Sequence, residues 1–395
     1  MSRLPKINLF NTLGDDRPTP SNPAAGGTMP ALLGLRGLAA VSVVLFHINR
    51  QIKIDVPDWL WFVTTHFGHG VFLFFVLSAF SLSYTNVRRI GQPNWLVQYA
   101  IKRFFRIAPL FYAVLASELL RQYLSAGRII SPDWQIFANI TFTFGLVPHA
   151  SMVWAGWTVG VEMLFYAVFP FLLIALTGTS RAILLLIVAL AVSLVSRIII
   201  GNIDLDTGRS PPWAYFSFQS NLWFFALGMV TFFFINWYTQ LETIAHRTVS
   251  IFAGISIAIL LWVSEALRFV PDWRIVRPDL LVFGIIFAIL TAWQYLRPSW
   301  LLSNGLMRYL GDRSFSIYLC HPVFLFYFRD QIYMIHDFFV SRLGSPAFLV
   351  TSLTVMICLM AIVEVTFRAI ELNGLRLSSM ASRAVSRKPR ATNQP

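Results

Sequence analysis

The sequence predicts an all-α polytopic membrane protein, and three observations support that prediction. Of its 395 residues, 56% are hydrophobic and only 12% are charged, which is about half the charge of a soluble globular domain. The mean hydropathy is +0.65, far too apolar for a disordered chain. The apolar residues form long unbroken runs rather than the short alternating segments of a membrane β-barrel.

Spanning helices are expected wherever about 20 mostly apolar residues follow one another. Each such segment is interpreted as a membrane helix, and we find ten of them: 31–49, 67–86, 105–124, 157–177, 182–200, 214–236, 248–268, 279–296, 314–333 and 347–370.

An eleventh apolar run, 135–147, is short and is ended by Pro148. A run of that length is typical of a re-entrant or interfacial segment. No linker in the chain is long enough to separate a second domain. The predicted organisation is a polar cytoplasmic N-terminal tail (1–30), one membrane domain (31–370) and a basic cytoplasmic C-terminal tail (371–395).

The formal net charge is +13, from 31 Lys and Arg against 18 Asp and Glu. In a membrane protein this excess is typical of positively charged inner loops, so we expect no nucleic-acid partner. If the N-terminus is inside and ten helices span, the inside segments carry 20 of the 31 basic residues. This bias predicts that both termini lie in the cytoplasm.

The first predicted helix contains two ionisable residues, Arg36 and His47. Such residues are costly inside a membrane and therefore mark candidate functional positions. Their separation of eleven residues places both on one side of the helix, about 16 Å apart along its axis. A structural interpretation is also open, in which Arg36 is a topology charge and His47 lies at the interface.

The third predicted helix begins in a basic cluster that contains Arg103 and Arg106. A spacing of three residues puts both guanidinium groups on nearly one helix face. Such a pair suits bidentate recognition of phosphate. The alternative is that these residues only set the orientation of the chain in the membrane.

The fourth predicted helix carries Thr158 and Glu162, which are i, i+4 neighbours on one face. No Lys or Arg occurs between 129 and 180, so a partner for the carboxylate must come from another helix. His47 lies at the same predicted depth, which indicates a His–Glu pair with either a catalytic or a packing role.

The ninth predicted helix has a polar stripe on an otherwise apolar surface. Ser314, Tyr318 and His321 follow one another at i, i+4 and i+7, which is the spacing of one helix face. The interpretations are a ligand-binding face and, for His321, a histidine satisfied within the core.

Five motifs occur in order along the chain. They are Arg36-x10-His47, GVFLFFVLSAF (70–80), Arg103-x-x-Arg106, WTVGVEMLFY (157–166) and the helix with Ser314, Tyr318 and His321. Together they resemble the acyltransferase-3 family of bacterial inner-membrane acyltransferases over residues 31–370. The family's usual fold of about ten membrane helices agrees with the hydropathy count.

The resemblance implies an O-acyltransferase of the bacterial inner membrane. The acyl group, most often acetyl, would move from cytoplasmic acetyl-CoA or another acyl-CoA to an extracytoplasmic carbohydrate hydroxyl. His47 would be the general base, and Glu162 would orient its imidazole. Arg36, Arg103 and Arg106 would bind the CoA phosphates.

Further roles follow from the same resemblance. No metal is expected, and no side chain is expected to form an acyl-enzyme. Hydrogen bonds to the acceptor or to the oxyanion would come from Thr158, Ser314, Tyr318 and His321.

Two other function classes use the same kinds of residue. A transporter or flippase for a sugar-lipid or a small anion would also have intramembrane Arg, His and Glu. Matching halves with discontinuous helices would favour it, and the sequence shows no matched halves. An assembly subunit would use the charges only for helix packing, and would tolerate alanine at His47 and Glu162.

Overall fold

The computed structural model describes residues 29–206, 213–238, 246–267 and 277–386. The predicted all-α class is confirmed, because the structure is 87% helical and the described residues form no strand. Most of the predicted N-terminal tail and the last nine residues of the predicted C-terminal tail lie outside the described residues.

The first half of the described chain forms helices α1 to α7. Their bounds are α1 (Pro30–His47), α2 (Trp61–Thr65), α3 (Gly70–Asn86), α4 (Trp95–Ala126), α5 (Asp133–Ile140), α6 (Trp157–Ala175) and α7 (Thr179–Asp206). A π-helical turn, Ile48–Ile52, continues directly from α1.

The second half forms helices α8 to α17. Their bounds are α8 (Trp213–Phe216), α9 (Phe218–Tyr238), α10 (His246–Leu267), α11 (Pro278–Leu296), α12 (Trp300–Ser303), α13 (Gly305–Asp312), α14 (Ser314–Tyr327), α15 (Arg329–Leu343), α16 (Ala347–Thr366) and α17 (Leu372–Ser386). A second π-helical turn, Phe367–Glu371, joins α16 to α17.

Several of the described helices have the length and the apolar composition of membrane spans. Among the described residues, eight segments are long and apolar enough to cross a bilayer: Pro30–Ile52, Asp58–Arg89, Trp157–Ala175, Thr179–Asp204, Trp213–Tyr238, Thr248–Leu267, Pro278–Leu296 and Ala347–Ser386. They correspond to eight of the ten predicted spans.

At the other two predicted spans the observed helices differ from the prediction, and the reasons are separate. Segment 105–124 lies within α4, which has 32 residues but is less apolar because it carries charges along its length. The predicted span 314–333 is wrong at its C-terminal end, because α14 stops at Tyr327 and the polar helix α15 begins at Arg329. The run 135–147 overlaps the eight-residue helix α5 (Asp133–Ile140), which is too short to span.

Within the predicted basic C-terminal tail (371–395), residues 372–386 form helix α17. This helix packs along α4: Asn94 donates to the Val385 carbonyl at 2.8 Å and Gln98 to Ser386 Oγ at 3.0 Å. A Cβ added at Gly374 would lie 2.7 Å from the Phe105 carbonyl oxygen, so only glycine permits this close approach.

Helix α3 lies at the centre of the bundle, with 13 of its 17 residues buried. It packs against α1, α9 and α11 through aromatic stacking, as between Phe72 and Phe224, whose centroids are 4.5 Å apart. By contrast, only 17% of the 18-residue apolar stretch of α7 and 11% of that of α10 are buried. These two helices therefore lie at the edge of the bundle, where their apolar side chains face lipid.

Helix α1 is fixed against the segment that leads into α14. A Cβ added at Gly34 would lie 1.9 Å from the Leu302 carbonyl oxygen, and one at Gly311 would lie 2.1 Å from the Leu33 carbonyl oxygen. Backbone thus packs directly on backbone, which is possible only without side chains. The contact sets the position of Arg36 and His47 relative to α14.

Candidate active site

His47 is the last residue of α1, where the π-helical turn begins. Its Nδ1 lies 2.9 Å from the Val43 carbonyl oxygen and 3.2 Å from Nε2 of His321. The two imidazole centroids are 5.0 Å apart. The structure therefore pairs His47 with His321 of α14, which sequence spacing alone did not predict.

The contacts of His321 assign the tautomers of both rings. His321 is fully buried, and its Nδ1 lies 3.2 Å from the Ile317 carbonyl oxygen, which can only accept a proton. Nδ1 of His321 is then the protonated nitrogen. The Nδ1–H of His47 faces two acceptors, the Val43 carbonyl and Nε2 of His321. This arrangement leaves Nε2 of His47 unprotonated, with a free lone pair.

His47 lines a cavity of about 330 Å³. The loop between α5 and α6 supplies seven of the thirteen lining residues. The rest come from the end of α1 and its π-helical turn, the start of α6, α8 and the middle of α14. The residues that line it are His47, Gln51, Phe144, Gly145, His149, Ser151, Val153, Trp154, Ala155, Trp157, Trp213, Phe216 and Pro322. We call this space the His47 cavity.

The backbone of that loop is unusual in three places. Phe142, His149 and Ala155 all have positive φ, between 55° and 59°. Such conformations cost energy for residues other than glycine and occur most often at functional sites. Gln51, from the π-helical turn, donates to the Pro322 carbonyl at 2.9 Å and so ties the end of α1 to α14.

None of the four predicted acceptor-binding residues is among those that line the His47 cavity. Thr158 donates to Tyr318 OH at 2.9 Å, and Tyr318 donates to the Ala155 carbonyl at 3.0 Å. His321 contacts His47, as described above. Ser314 is buried, and its Oγ has no hydrogen-bond partner among the described residues. The structure thus joins Thr158 to Tyr318 and leaves Ser314 apart.

Glu162 does not have the partner that we expected. It accepts a hydrogen bond from Ser78 Oγ at 2.7 Å and another from Tyr166 OH, and Ser78 and Tyr166 are themselves 3.0 Å apart. The expected contact between Glu162 and His47 is absent from the described hydrogen bonds and ion pairs, because α3 lies beside Glu162 and α14 lies beside His47.

A second cavity of about 150 Å³ lies at the Arg36 end of α1. It contains all three arginines predicted to bind phosphate, together with hydroxyl groups from α3 and α6. Its lining is Arg36, Ser78, Ser81, Leu82, Thr85, Arg103, Arg106, Ile107, Tyr166 and Phe315. We call this space the arginine cavity.

The arginines of this cavity differ in their partners. Arg36 lies 5.3 Å from the centroid of the Phe74 ring, and Arg103 lies 5.7 Å from the centroid of the Tyr166 ring. Arg106 forms an ion pair with Glu371, with Nη1 and Oε2 3.3 Å apart. Glu371 was missed by the sequence analysis, because the predicted last span ended at residue 370.

The described residues contain no group of three or more His, Cys, Asp or Glu side chains arranged to hold a metal ion. Both cysteines are free, Cys320 buried and Cys358 exposed. The groups available for chemistry in the two cavities are therefore imidazole, guanidinium and hydroxyl.

Comparisons with known proteins agree with this architecture. Peptidoglycan O-acetyltransferase OatA of Listeria monocytogenes is 26% identical over 323 residues, which are 74% of this chain and 49% of the relative. O-acetyltransferase OatA of Staphylococcus aureus is 24% identical over 339 residues, 77% of this chain and 52% of the relative. The chain spans about half the length of these curated relatives.

No solved structure gives a significant match to the chain. The family model described as an acyltransferase domain matches residues 29–365. This segment includes all the residues that line the two cavities, whereas Glu371, the partner of Arg106, lies beyond it. The chain therefore belongs to the acyltransferase-3 family.

Proposed function

We propose that this protein is a membrane O-acyltransferase that moves an acyl group, most simply acetyl, from acyl-CoA to a carbohydrate hydroxyl. The observation that carries the proposal is the placement of two unlike cavities at opposite ends of α1. One contains a paired histidine and the other contains three arginines. The printed names of the two relatives, which are O-acetyltransferases, support the reaction class.

The chemical step is assigned to His47. Its free Nε2 takes the proton of the acceptor hydroxyl as the oxygen attacks the thioester carbonyl. The new C–O bond forms, the C–S bond breaks, and the proton passes from the imidazolium to the CoA thiolate. The Val43 carbonyl and Nε2 of His321 both face Nδ1–H of His47. Together they favour the tautomer that leaves Nε2 ready to act as the base.

The donor is assigned to the arginine cavity. Guanidinium groups form strong bidentate hydrogen bonds with phosphate oxygens, and three of them converge on one small space. Acyl-CoA carries its phosphates at the end of the molecule remote from the thioester. The phosphates bind at this cavity while the narrow pantetheine arm extends along α1 toward His47.

Polar groups mark a route between the two cavities. Thr158, Glu162 and Tyr166 follow one another at intervals of four on α6, so they lie on nearly one face. Thr158 is one residue from the wall of the His47 cavity, and Tyr166 lines the arginine cavity. The amide groups of a pantetheine arm find hydrogen-bond partners along such a face.

The acceptor is assigned to the His47 cavity. Four aromatic side chains, Trp154, Trp157, Trp213 and Phe216, form much of its wall. Flat aromatic surfaces with a few polar groups between them are typical of small-molecule sites, and suit the apolar faces of sugar rings. His149, Ser151 and Gln51 supply the polar groups.

We also propose a location in the bacterial inner membrane, with both termini and the arginine cavity on the cytoplasmic side. The Lys and Arg distribution supports this orientation. Cysteine labelling from each side of the membrane, at positions 88 and 149 in turn, tests it.

The function is tested with membrane vesicles that contain the host envelope. Acetyl-CoA labelled in its acetyl group is added to vesicles with the wild-type protein, with His47→Ala, or with empty vector. We expect labelled carbohydrate only with the wild type. If inserted wild-type protein labels no carbohydrate and instead accumulates an intact solute in the vesicles, the chain is a transporter.

A further inference from the structure

A buried carboxylate lies beside the arginine cavity, and the reaction described above does not use it. Glu371 ends the π-helical turn between α16 and α17 and is 3% exposed. It lies outside the segment matched by the family model, which ends at residue 365. A buried carboxylate is costly unless other groups compensate its charge. The groups that surround Glu371 are therefore informative about its role.

Each carboxylate oxygen of Glu371 faces a different helix. Oε2 lies 3.3 Å from Nη1 of Arg106 on α4, and Oε1 accepts a hydrogen bond from Ser316 Oγ on α14. The carboxylate thus connects the wall of the arginine cavity to the helix that carries His321. Arg106 remains partly accessible, with 23% of its side chain exposed, so its other nitrogens are available to a ligand.

Electrostatics gives this contact a second consequence. Arg36, Arg103 and Arg106 carry like charges around one small cavity, and in a low-dielectric interior such charges repel strongly. Glu371 is a fixed counter-charge on the protein side of Arg106. Its attraction offsets the repulsion from the other two arginines and so keeps Arg106 at the cavity wall.

A second glutamate, Glu364 near the end of α16, provides a comparison. Glu364 binds Arg313 and Arg368 at 2.6 and 2.5 Å, and 24% of its side chain is exposed, against 1% for Glu371. Neither of its arginine partners lines a cavity described above. Loss of the Glu364 charge should therefore not reach the donor site, which makes Glu364 a control for the removal of a glutamate that binds arginine.

We propose that Glu371 is a positioning residue for the donor: by pairing with Arg106 it presents that guanidinium to the phosphates of acyl-CoA. The proposal rests on the assignment of the donor to the arginine cavity. It extends the donor site beyond the family motifs, to the junction of α16 and α17.

The test measures CoA binding to the full chain in lipid nanodiscs by calorimetry. Glu371→Gln keeps the shape but removes the charge, and we expect the Kd for CoA to rise at least about fivefold. Glu364→Gln is the control and should leave the Kd within about twofold of wild type. Arg106→Ala should weaken binding too, and the double variant Arg106→Ala with Glu371→Gln should be no weaker than Arg106→Ala alone.

Ser316→Ala provides a second variant that buries no unpaired charge, in case Glu371→Gln does not insert. It frees one carboxylate oxygen, and we expect a rise in Kd of about twofold to threefold.

An unchanged Kd in Glu371→Gln, or in Ser316→Ala where Glu371→Gln does not insert, would overturn the positioning role. Additive losses in the double variant would do so too. These results would leave the proposed function standing. A wild-type protein that binds no CoA would overturn both proposals together.

Discussion

The two cavities at the ends of α1 differ in almost every physical respect. The His47 cavity is about 330 Å³, and its described lining is apolar or neutral polar apart from two histidines. The arginine cavity is less than half that volume, and three of its ten lining residues are arginines. The contrast shows how one helix can present a proton acceptor to one ligand and fixed positive charge to another.

The two cavities also differ in how the functional side chain of each, His47 or Arg106, is positioned by its neighbours. At the His47 cavity, neutral acceptors on the Val43 carbonyl and on His321 set which nitrogen of His47 carries the proton. At the arginine cavity, a buried carboxylate compensates positive charge. If the two ends have separate tasks, substitutions at one end should change kcat and substitutions at the other should change the KM of the donor.

The largest effect is expected from His47→Ala. Loss of a general base typically lowers the rate about 10²- to 10⁴-fold, so transfer of labelled acetyl should fall at least about 100-fold while the protein still inserts. His336→Ala is a matched control, because His336 pairs with Thr351 outside both cavities. Near-normal turnover in His47→Ala would contradict the assignment of the base.

His321→Ala should have the next largest effect, because it removes one of the two acceptors that face the His47 Nδ1 proton and leaves only the Val43 carbonyl. Loss of an orienting partner behind a functional histidine typically costs about 10- to 100-fold. The decrease should appear in kcat, with both KM values little changed, and His321→Asn should restore part of it by supplying an acceptor. A change confined to the acceptor KM would instead place His321 in contact with the sugar.

Arg103→Ala should raise the KM for acetyl-CoA about tenfold with little change in kcat, because it removes a charge-assisted hydrogen bond to phosphate. Steady-state kinetics with the donor varied measures this directly. Arg342→Ala is the control, since Arg342 bonds only within α15. An unchanged donor KM would show that Arg103 only sets membrane orientation.

The smallest effect is expected from Tyr318→Phe. It removes the hydrogen bond from Tyr318 OH to the Ala155 carbonyl, which supports the wall of the His47 cavity from behind. A lost neutral hydrogen bond costs about 1 kcal/mol, so the acceptor KM should rise about fivefold. A loss of kcat beyond about 100-fold would mean that Tyr318 OH donates to the oxyanion itself.

Hydropathy predicted the fold well, because a bilayer forces each spanning segment to satisfy its backbone as a long helix. The prediction was wrong where local polarity interrupts that rule. Helix α14 ends at Tyr327 because Arg329 and Asp330 follow, and a sequence window averages over such a break. Helix α17 was missed because an amphipathic helix packed on α4 resembles a polar tail in composition.

The candidate site was predictable only in part. The helical period correctly placed Arg36 and His47 along one helix, because that relation is local. For Glu162 the sequence offered only a predicted depth, which does not determine the neighbouring helix, and the structure gives it Ser78 and Tyr166 as partners. The sequence analysis did not select Glu371, because this residue directly follows the predicted span 347–370 and so did not count as an ionisable residue inside the membrane.

The central claim is that the acyl group passes from the arginine cavity to the His47 cavity, across the membrane domain. Proteoliposomes of defined orientation test it most directly, with labelled acetyl-CoA supplied on one side only and the host glycan on the other. The account predicts labelled glycan only when acetyl-CoA is on the side of the arginine cavity, and none with His47→Ala. Equal labelling from either side, or labelling that persists in His47→Ala, would contradict it.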